Sequence, residues 1–109
     1  LRQQGYRVLY RGFRARGGGE VDLVARDGDT LAFIEVKTRT SLEFGRPYEA
    51  VDGAKQMLII RGALAWLRAL DDPGILFRFD IAEVVIPPGG PPKFHVIRDA
   101  FTLPSSYIY

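Results

Sequence analysis

Residues 19–39, GEVDLVARDGDTLAFIEVKTR, contain two stretches in which charged and apolar side chains alternate. Glu20 and Asp22 alternate with Val21 and Leu23, and beyond Asp27-Gly28-Asp29-Thr30 the residues Glu35 and Lys37 alternate with Ile34 and Val36. A period of two marks strands whose two faces see different surroundings. If Gly28 and Asp29 form a two-residue turn, Asp27 pairs with Thr30, and the register sets Asp22 opposite Glu35 and Glu20 opposite Lys37. An Asp27-Gly28 turn would shift these pairs by two residues and keep the faces.

Directly opposed residues have Cβ atoms about 4.5–5.5 Å apart, and like charges at that separation are destabilising unless something positive lies between them. A divalent cation does this. Mg²⁺ takes one or two carboxylates and fills its other positions with water and substrate phosphate. Lys37 shares the face of Glu35, where an ammonium can orient an attacking water and oppose charge developing on a phosphoryl group. The alternative is a solvated strand pair with its polar face outward. That alternative accounts for Glu20 facing Lys37 but not for Asp22 facing Glu35.

Upstream, YRVLYRGFRA (residues 6–15) reads as a strand that makes these two into an antiparallel meander. Downstream, PYEAVDGAKQMLIIRGALAWLRAL (residues 47–70) reads as a long helix, with a proline near its start and DDPG after its end. From Met57 onward it is apolar nearly all round, with Arg61 and Arg68 on one stripe, so it is expected to be largely buried. ILFRFDIAEVVI (75–86) and KFHVIR (93–98), separated by PPGGPP, are the fourth and fifth strands. A strand–helix–strand crossover places its two strands parallel. The expected fold is therefore α/β, a mixed five-stranded sheet flanked by helices, in one domain over residues 1–109. Leu1 opens on what reads as the last turn of a helix, so further residues of an N-terminal helix are expected upstream.

The 109 residues are 47% hydrophobic, enough for one core. With no cysteine and a single histidine, His95, any metal must sit on oxygen ligands. No apolar run approaches the ~20 residues of a membrane span, and LRQQGYRVLY lacks the apolar stretch of a signal peptide. A cytoplasmic location is expected. Arg2, Arg7, Arg11, Arg14 and Arg16 all precede the first acid, and arginine outnumbers lysine twelve to three. The guanidinium fork suits bidentate phosphate contact. Arg7, Arg11 and Arg14, with Arg39 in the stretch TRTSLEFGR, are the candidate nucleic-acid contacts. A merely solvated arm is the alternative, and the stretch around Arg39 and Arg46 is either a DNA-contacting flap or a plain connection.

Lys55 falls on the apolar side of the helix, where it points at the carboxylates or a bound phosphate, or else snorkels past the sheet edge. Arg78 and Asp80 share a strand face and read as a structural ion pair. His95 reads as packed or superficial. Tyr107 and Tyr109 could stack on bases, although terminal aromatics more often pack against the domain.

The acid on the second strand followed by Glu-x-Lys on the third resembles the PD-(D/E)xK nuclease superfamily of restriction-endonuclease-like fold. GEVDLVARDGDTLAFIEVKTR, FGRPYEAVDGAKQ, RFDIAEVVI and the final DAF are similar to the small bacterial YraN-like family of predicted endonucleases, related to archaeal Holliday junction resolvases. The resemblance implies Asp22, Glu35 and the Val36 backbone carbonyl as metal ligands, Lys37 as the catalytic lysine, and Glu20 and Lys55 as members of the catalytic set. It implies Mg²⁺ or Mn²⁺ as cofactor and DNA, in the resolvase case branched and met by a dimer, as partner. Val21 stands where the superfamily has proline, Gly12 where the family usually has asparagine, and the superfamily's first-helix glutamate would fall before Leu1. The function expected is metal-dependent hydrolysis of DNA phosphodiesters. A non-cleaving nucleic-acid-binding module and a protein-interaction subunit are the alternatives.

Overall fold

The computed structural model describes residues 1–40 and 52–104. A short 3-10 helix, Arg2–Gln4, leads into β1 (Arg7–Arg14), β2 (Glu20–Asp27) and β3 (Thr30–Thr40), then α1 (Gly53–Leu70), β4 (Leu76–Ile86) and β5 (Lys93–Phe101). The strands form one sheet in the order β1-β2-β3-β4-β5. Among the described strands only β3 and β4, joined through α1, run parallel. The α/β fold with a mixed five-stranded sheet is thus as expected, and it is compatible with a restriction-endonuclease-like fold.

The hairpin register is the one that the Gly28-Asp29 turn requires: Asp27 pairs with Thr30 and the ladder runs to Leu23 with Ile34. Gly28 takes φ 61, a left-handed conformation that glycine adopts at no steric cost. Alternation then sorts the side chains. Val24, Leu31, Phe33, Phe79 and Ile81 meet Ile59, Ile60, Ala63, Leu64 and Leu67 of α1 in the main core. Ala25, Ala32, Ile34 and Ala82 face the other way and form a second cluster with Tyr6, against which Leu1, Leu23, Val36 and Val96 pack.

One detail of the expected fold is narrowed. Among the described residues a single α-helix covers the sheet, and the opposite face carries only the N-terminal 3-10 turn. Helix α1 buries Ile59, Ile60, Gly62, Ala63, Leu64 and Leu67, while the Arg61–Arg68 stripe is exposed together with Ala69 and with Leu70, which is 46% exposed. It has one sheet face to lie on, so its outer residues meet solvent. The helix is described from Gly53, capped by the Asp52 carboxylate, which accepts from the Lys55 backbone N–H at 2.9 Å. Pro47 and the residues to Val51 lie outside the described part.

The helix sits very close to the sheet at one point. A Cβ on Gly62 would lie 2.9 Å from Val21 Cγ2 and 3.1 Å from the Glu20 backbone nitrogen, and one on Gly19 would lie 2.5 Å from the Gly62 nitrogen. Two residues without side chains therefore let α1 rest directly on the start of β2, the segment that carries Glu20 and Asp22.

Candidate active site

Asp22 and Glu35 lie on the helix-facing side of the sheet, in step with Val24 and Phe33. The regular ladder stops at Leu23 and Ile34, and Asp22 takes over: its Oδ2 accepts the Val36 backbone N–H at 2.8 Å. The acid thus fills the place of a ladder bond at the point where the strands part. A residue's N–H and C=O leave an extended strand on the same edge, so the Val36 carbonyl faces the β2 side as well.

Glu35 is 3% exposed. Burial pushes its carboxyl up to about 7, helped by the hydrogen bond its protonated form gives Asp22 and by the Asp22 charge, while the Lys55 ammonium pulls the other way. Lys55 rises from the first turn of α1 and places Nζ 3.3 Å from Glu35 Oε2 and 3.2 Å from Glu20 Oε1. Burial opposes its charge, but Glu20 and Glu35 outweigh burial and hold its pKa above the usual lysine value. Glu20 is not in the ladder with Lys37. It pairs with Arg14 on β1, whose Nε is 3.9 Å from Glu20 Oε2. Lys37 follows Glu35 on the same face, partly exposed, and has no hydrogen-bond or ion-pair partner among the described residues.

The parallel register sets Lys37 beside Glu83 of β4. Glu83 is 8% exposed, and its Oε2 lies 2.8 Å from Arg39 Nε. Arg39 belongs to β3 rather than to a loop, with its side chain 12% exposed. Sequence reasoning passed over Glu83. The signal was an acid in step with Phe79 and Ile81, on the buried face of an otherwise apolar run.

Arg7 and Arg11, with Arg2, line an open groove of about 1160 Å³ that also touches Tyr6, Leu23 and Phe94, against the sheet face opposite the carboxylates. Of the three candidate arm residues, the structure brings only Arg14 near the acids. Arg78 forms the expected structural pair, with Nε 3.0 Å from Asp80 Oδ1, in a network that also holds Tyr6, Asp27 and Arg98. His95 is exposed on β5. Arg46, Tyr107 and Tyr109 lie outside the described residues.

The donor set suits a hard cation. Among the described residues no three acidic or histidine side chains converge on one point. Two adjacent carboxylates and a strand carbonyl, with water and a phosphate oxygen completing the shell, nevertheless match the usual habit of Mg²⁺. The profile of the Uncharacterised protein family UPF0102 matches residues 1–84. The chain belongs to this family. It is 47% identical over 104 residues to the UPF0102 protein of Trichlorobacter lovleyi, covering 94% of this chain and 81% of that one. Identity to the UPF0102 protein of Nocardia farcinica is 45% over 101 residues, covering 93% and 79%. Identity to that of Geobacter sulfurreducens is 46% over 98 residues, covering 90% and 76%. All of Glu20, Asp22, Glu35, Lys37, Lys55 and Glu83 fall within the UPF0102 match. No helix among the described residues is long and apolar enough to cross a membrane.

Proposed function

We propose that this UPF0102 chain is a metal-dependent endonuclease of the PD-(D/E)xK superfamily that hydrolyses DNA phosphodiester bonds, on branched or repair intermediates in the resolvase manner. The observation that carries the reading is the Asp22–Glu35 pair: two adjacent carboxylates, one almost fully buried, in reach of one another, with Lys37 two residues along the same strand face and without a partner among the described residues. A purely structural site gains nothing from burying one carboxyl against another, an arrangement that is relieved only by a retained proton or a bound cation.

Asp22, Glu35 and the Val36 carbonyl would hold Mg²⁺ or Mn²⁺. When bound, the ion supplies Lewis acidity and a water ionised near neutral pH. Lys37, on the same face of β3 as Glu35, would stabilise negative charge that develops on the phosphoryl group. Lys55 holds Glu20 and Glu35 in place and offsets part of their charge. The test is incubation of labelled duplex, flap, single-stranded and four-way substrates with the chain in Mg²⁺ or Mn²⁺. Cleavage that requires the metal and is lost in Asp22→Asn supports the reading. Binding without cleavage of any substrate favours the non-cleaving module.

A further inference from the structure

Arg16, Arg61 and Arg68 enter no part of the site just described, yet the fold gathers them around one cavity. The β1–β2 turn, through Ala15, Arg16, Gly17 and Gly18, and the flank of α1 that faces it, through Arg61, Leu64, Ala65 and Arg68, line a pocket of about 410 Å³. All three arginines are exposed, and among the described residues none has an ion-pair or hydrogen-bond partner. Three arginines line one recess with no acid among its lining residues, so the local potential there favours an anion. The turn adds no bulk, because a Cβ on Gly17 or Gly18 would meet nothing within 4 Å.

We infer that this pocket is a phosphate-binding site for the nucleic-acid backbone, taking phosphates on the same side of the sheet as the carboxylates and away from the scissile one. The inference rests on the nucleic-acid reading above and adds where the strand runs. The turn leads through Gly19 straight into Glu20, which is paired to Lys55 at the acids, and Gly19 packs against Arg61 and Gly62. A backbone path thus continues from the carboxylates over this contact to the pocket. Arg61 and Arg68 are two helical turns apart on one stripe, about 10.5 Å along the axis. That distance is close to the rise of about three nucleotides on one strand of a duplex. The larger groove bearing Arg2, Arg7 and Arg11 lies against the opposite sheet face and has no such path to the acids.

The experiment measures duplex affinity in Ca²⁺ or EDTA over a series of salt concentrations, for wild type, the triple variant Arg16→Gln/Arg61→Gln/Arg68→Gln and the control Arg26→Gln. Arg26 is exposed on β2 and lines neither pocket. Each phosphate contact contributes about 0.9 to the slope of log affinity against log salt. The triple variant is expected to flatten the slope by about 2–3, with an unchanged melting temperature, and the control to keep it. A wild-type slope in the triple variant overturns the inference even if the chain cleaves DNA. A flattened slope in a chain that cleaves nothing supports the pocket while the nuclease reading fails. Pyrophosphate binding as tight as duplex binding, weakened equally by the substitutions, would make this a small-anion pocket and overturn the backbone assignment.

Discussion

The Lys55 ammonium stands 3.3 Å from the Glu35 carboxylate, so the first turn of α1 supplies the cation that the buried strand acid requires. It bridges to Glu20 at 3.2 Å and thereby ties the helix to both acid-bearing strands. Removing it leaves Glu35 and Asp22 facing one another with less compensation. Lys55→Met should therefore destabilise the metal-free chain by about 1–2 kcal/mol, the scale of a charge-assisted hydrogen bond lost at a partly buried site. The loss should shrink in saturating Mn²⁺, which takes over the same neutralisation. Urea unfolding of both proteins in EDTA and in Mn²⁺ measures it, and an equal loss in both conditions would separate Lys55 from the metal site.

Glu35 makes stability pH-dependent in a direction that can be worked out. Its carboxyl titrates near 7 when folded against an ordinary value of 4.5, so between these values the unfolded chain has released a proton that the folded chain keeps. Stability contributed by the neutral form is complete below about 4.5 and is lost as pH rises through about 7. The metal-free chain should be less stable at pH 8 than at pH 5 by up to about 3 kcal/mol from this group. A metal competes with the proton for the same oxygens, so the rise in melting temperature with Mn²⁺ should be larger at pH 8 than at pH 6. Asp22→Asn should reduce both effects. A rise that is the same at both pH values would show that Glu35 is no ligand.

The hairpin and its faces were legible because they follow from local chemistry. A left-handed glycine at position 28 sets Asp27 against Thr30, and a period of two does the rest. The helix lysine was legible in part, since a wheel shows which side Lys55 occupies but not which carboxylates it meets. Glu83 and Arg39 were not legible, because the register of a parallel pair is set by how the crossover packs, and nothing local in β3 or β4 states that Lys37 will lie beside Glu83. Nor does the sequence say that the ladder ends at Leu23, where the Asp22 side chain replaces the backbone bond.

The contact of Gly62 with β2 gives a packing test. Gly62→Ala would press a methyl carbon to 2.9 Å from Val21 Cγ2 and 3.2 Å from the Glu20 carbonyl carbon. Val21 Cγ2 can give a little and the backbone cannot, so α1 must lift from the start of β2. Overpacking of this kind costs about 1–3 kcal/mol. Because the lifted segment carries Glu20 and Asp22, metal-induced stabilisation should fall along with melting temperature. A variant as stable as wild type would mean that the helix rests less tightly on the sheet.

Asp80 offers the matching test on the opposite face. It is fully buried, accepts from the Tyr6 hydroxyl at 2.6 Å and from the Asp99 N–H at 2.9 Å, and pairs with Arg78. Asp80→Ala strands three donors, one of them charged, and should cost about 3–5 kcal/mol. Any Mn²⁺ stabilisation should persist in the residual folded population, since the sheet itself stands between this network, on the side of Tyr6 and Ala82, and Asp22 and Glu35, on the side of Phe33 and α1. Thermal shifts in EDTA and Mn²⁺ check both halves. Loss of the metal response would couple the two faces.

Lys37 separates a catalyst from a binder. Its ammonium has no partner among the described residues, so Lys37→Ala breaks no bond to any of them and should leave melting temperature nearly unchanged. If it acts on charge that develops during hydrolysis, its loss should lower single-turnover cleavage by about 10²-fold or more while duplex affinity stays within a few-fold. A lysine that only held backbone phosphate would show the reverse, with weaker binding and a flatter salt dependence. Asp22→Asn should also stop cleavage, yet it removes a negative charge that faces phosphate, so its affinity for DNA should equal or exceed that of wild type. Both variants therefore lose activity while binding is retained, a pattern that neither a general loss of fold nor a simple loss of positive charge reproduces. Cleavage by Lys37→Ala at the wild-type rate would remove this residue from the mechanism.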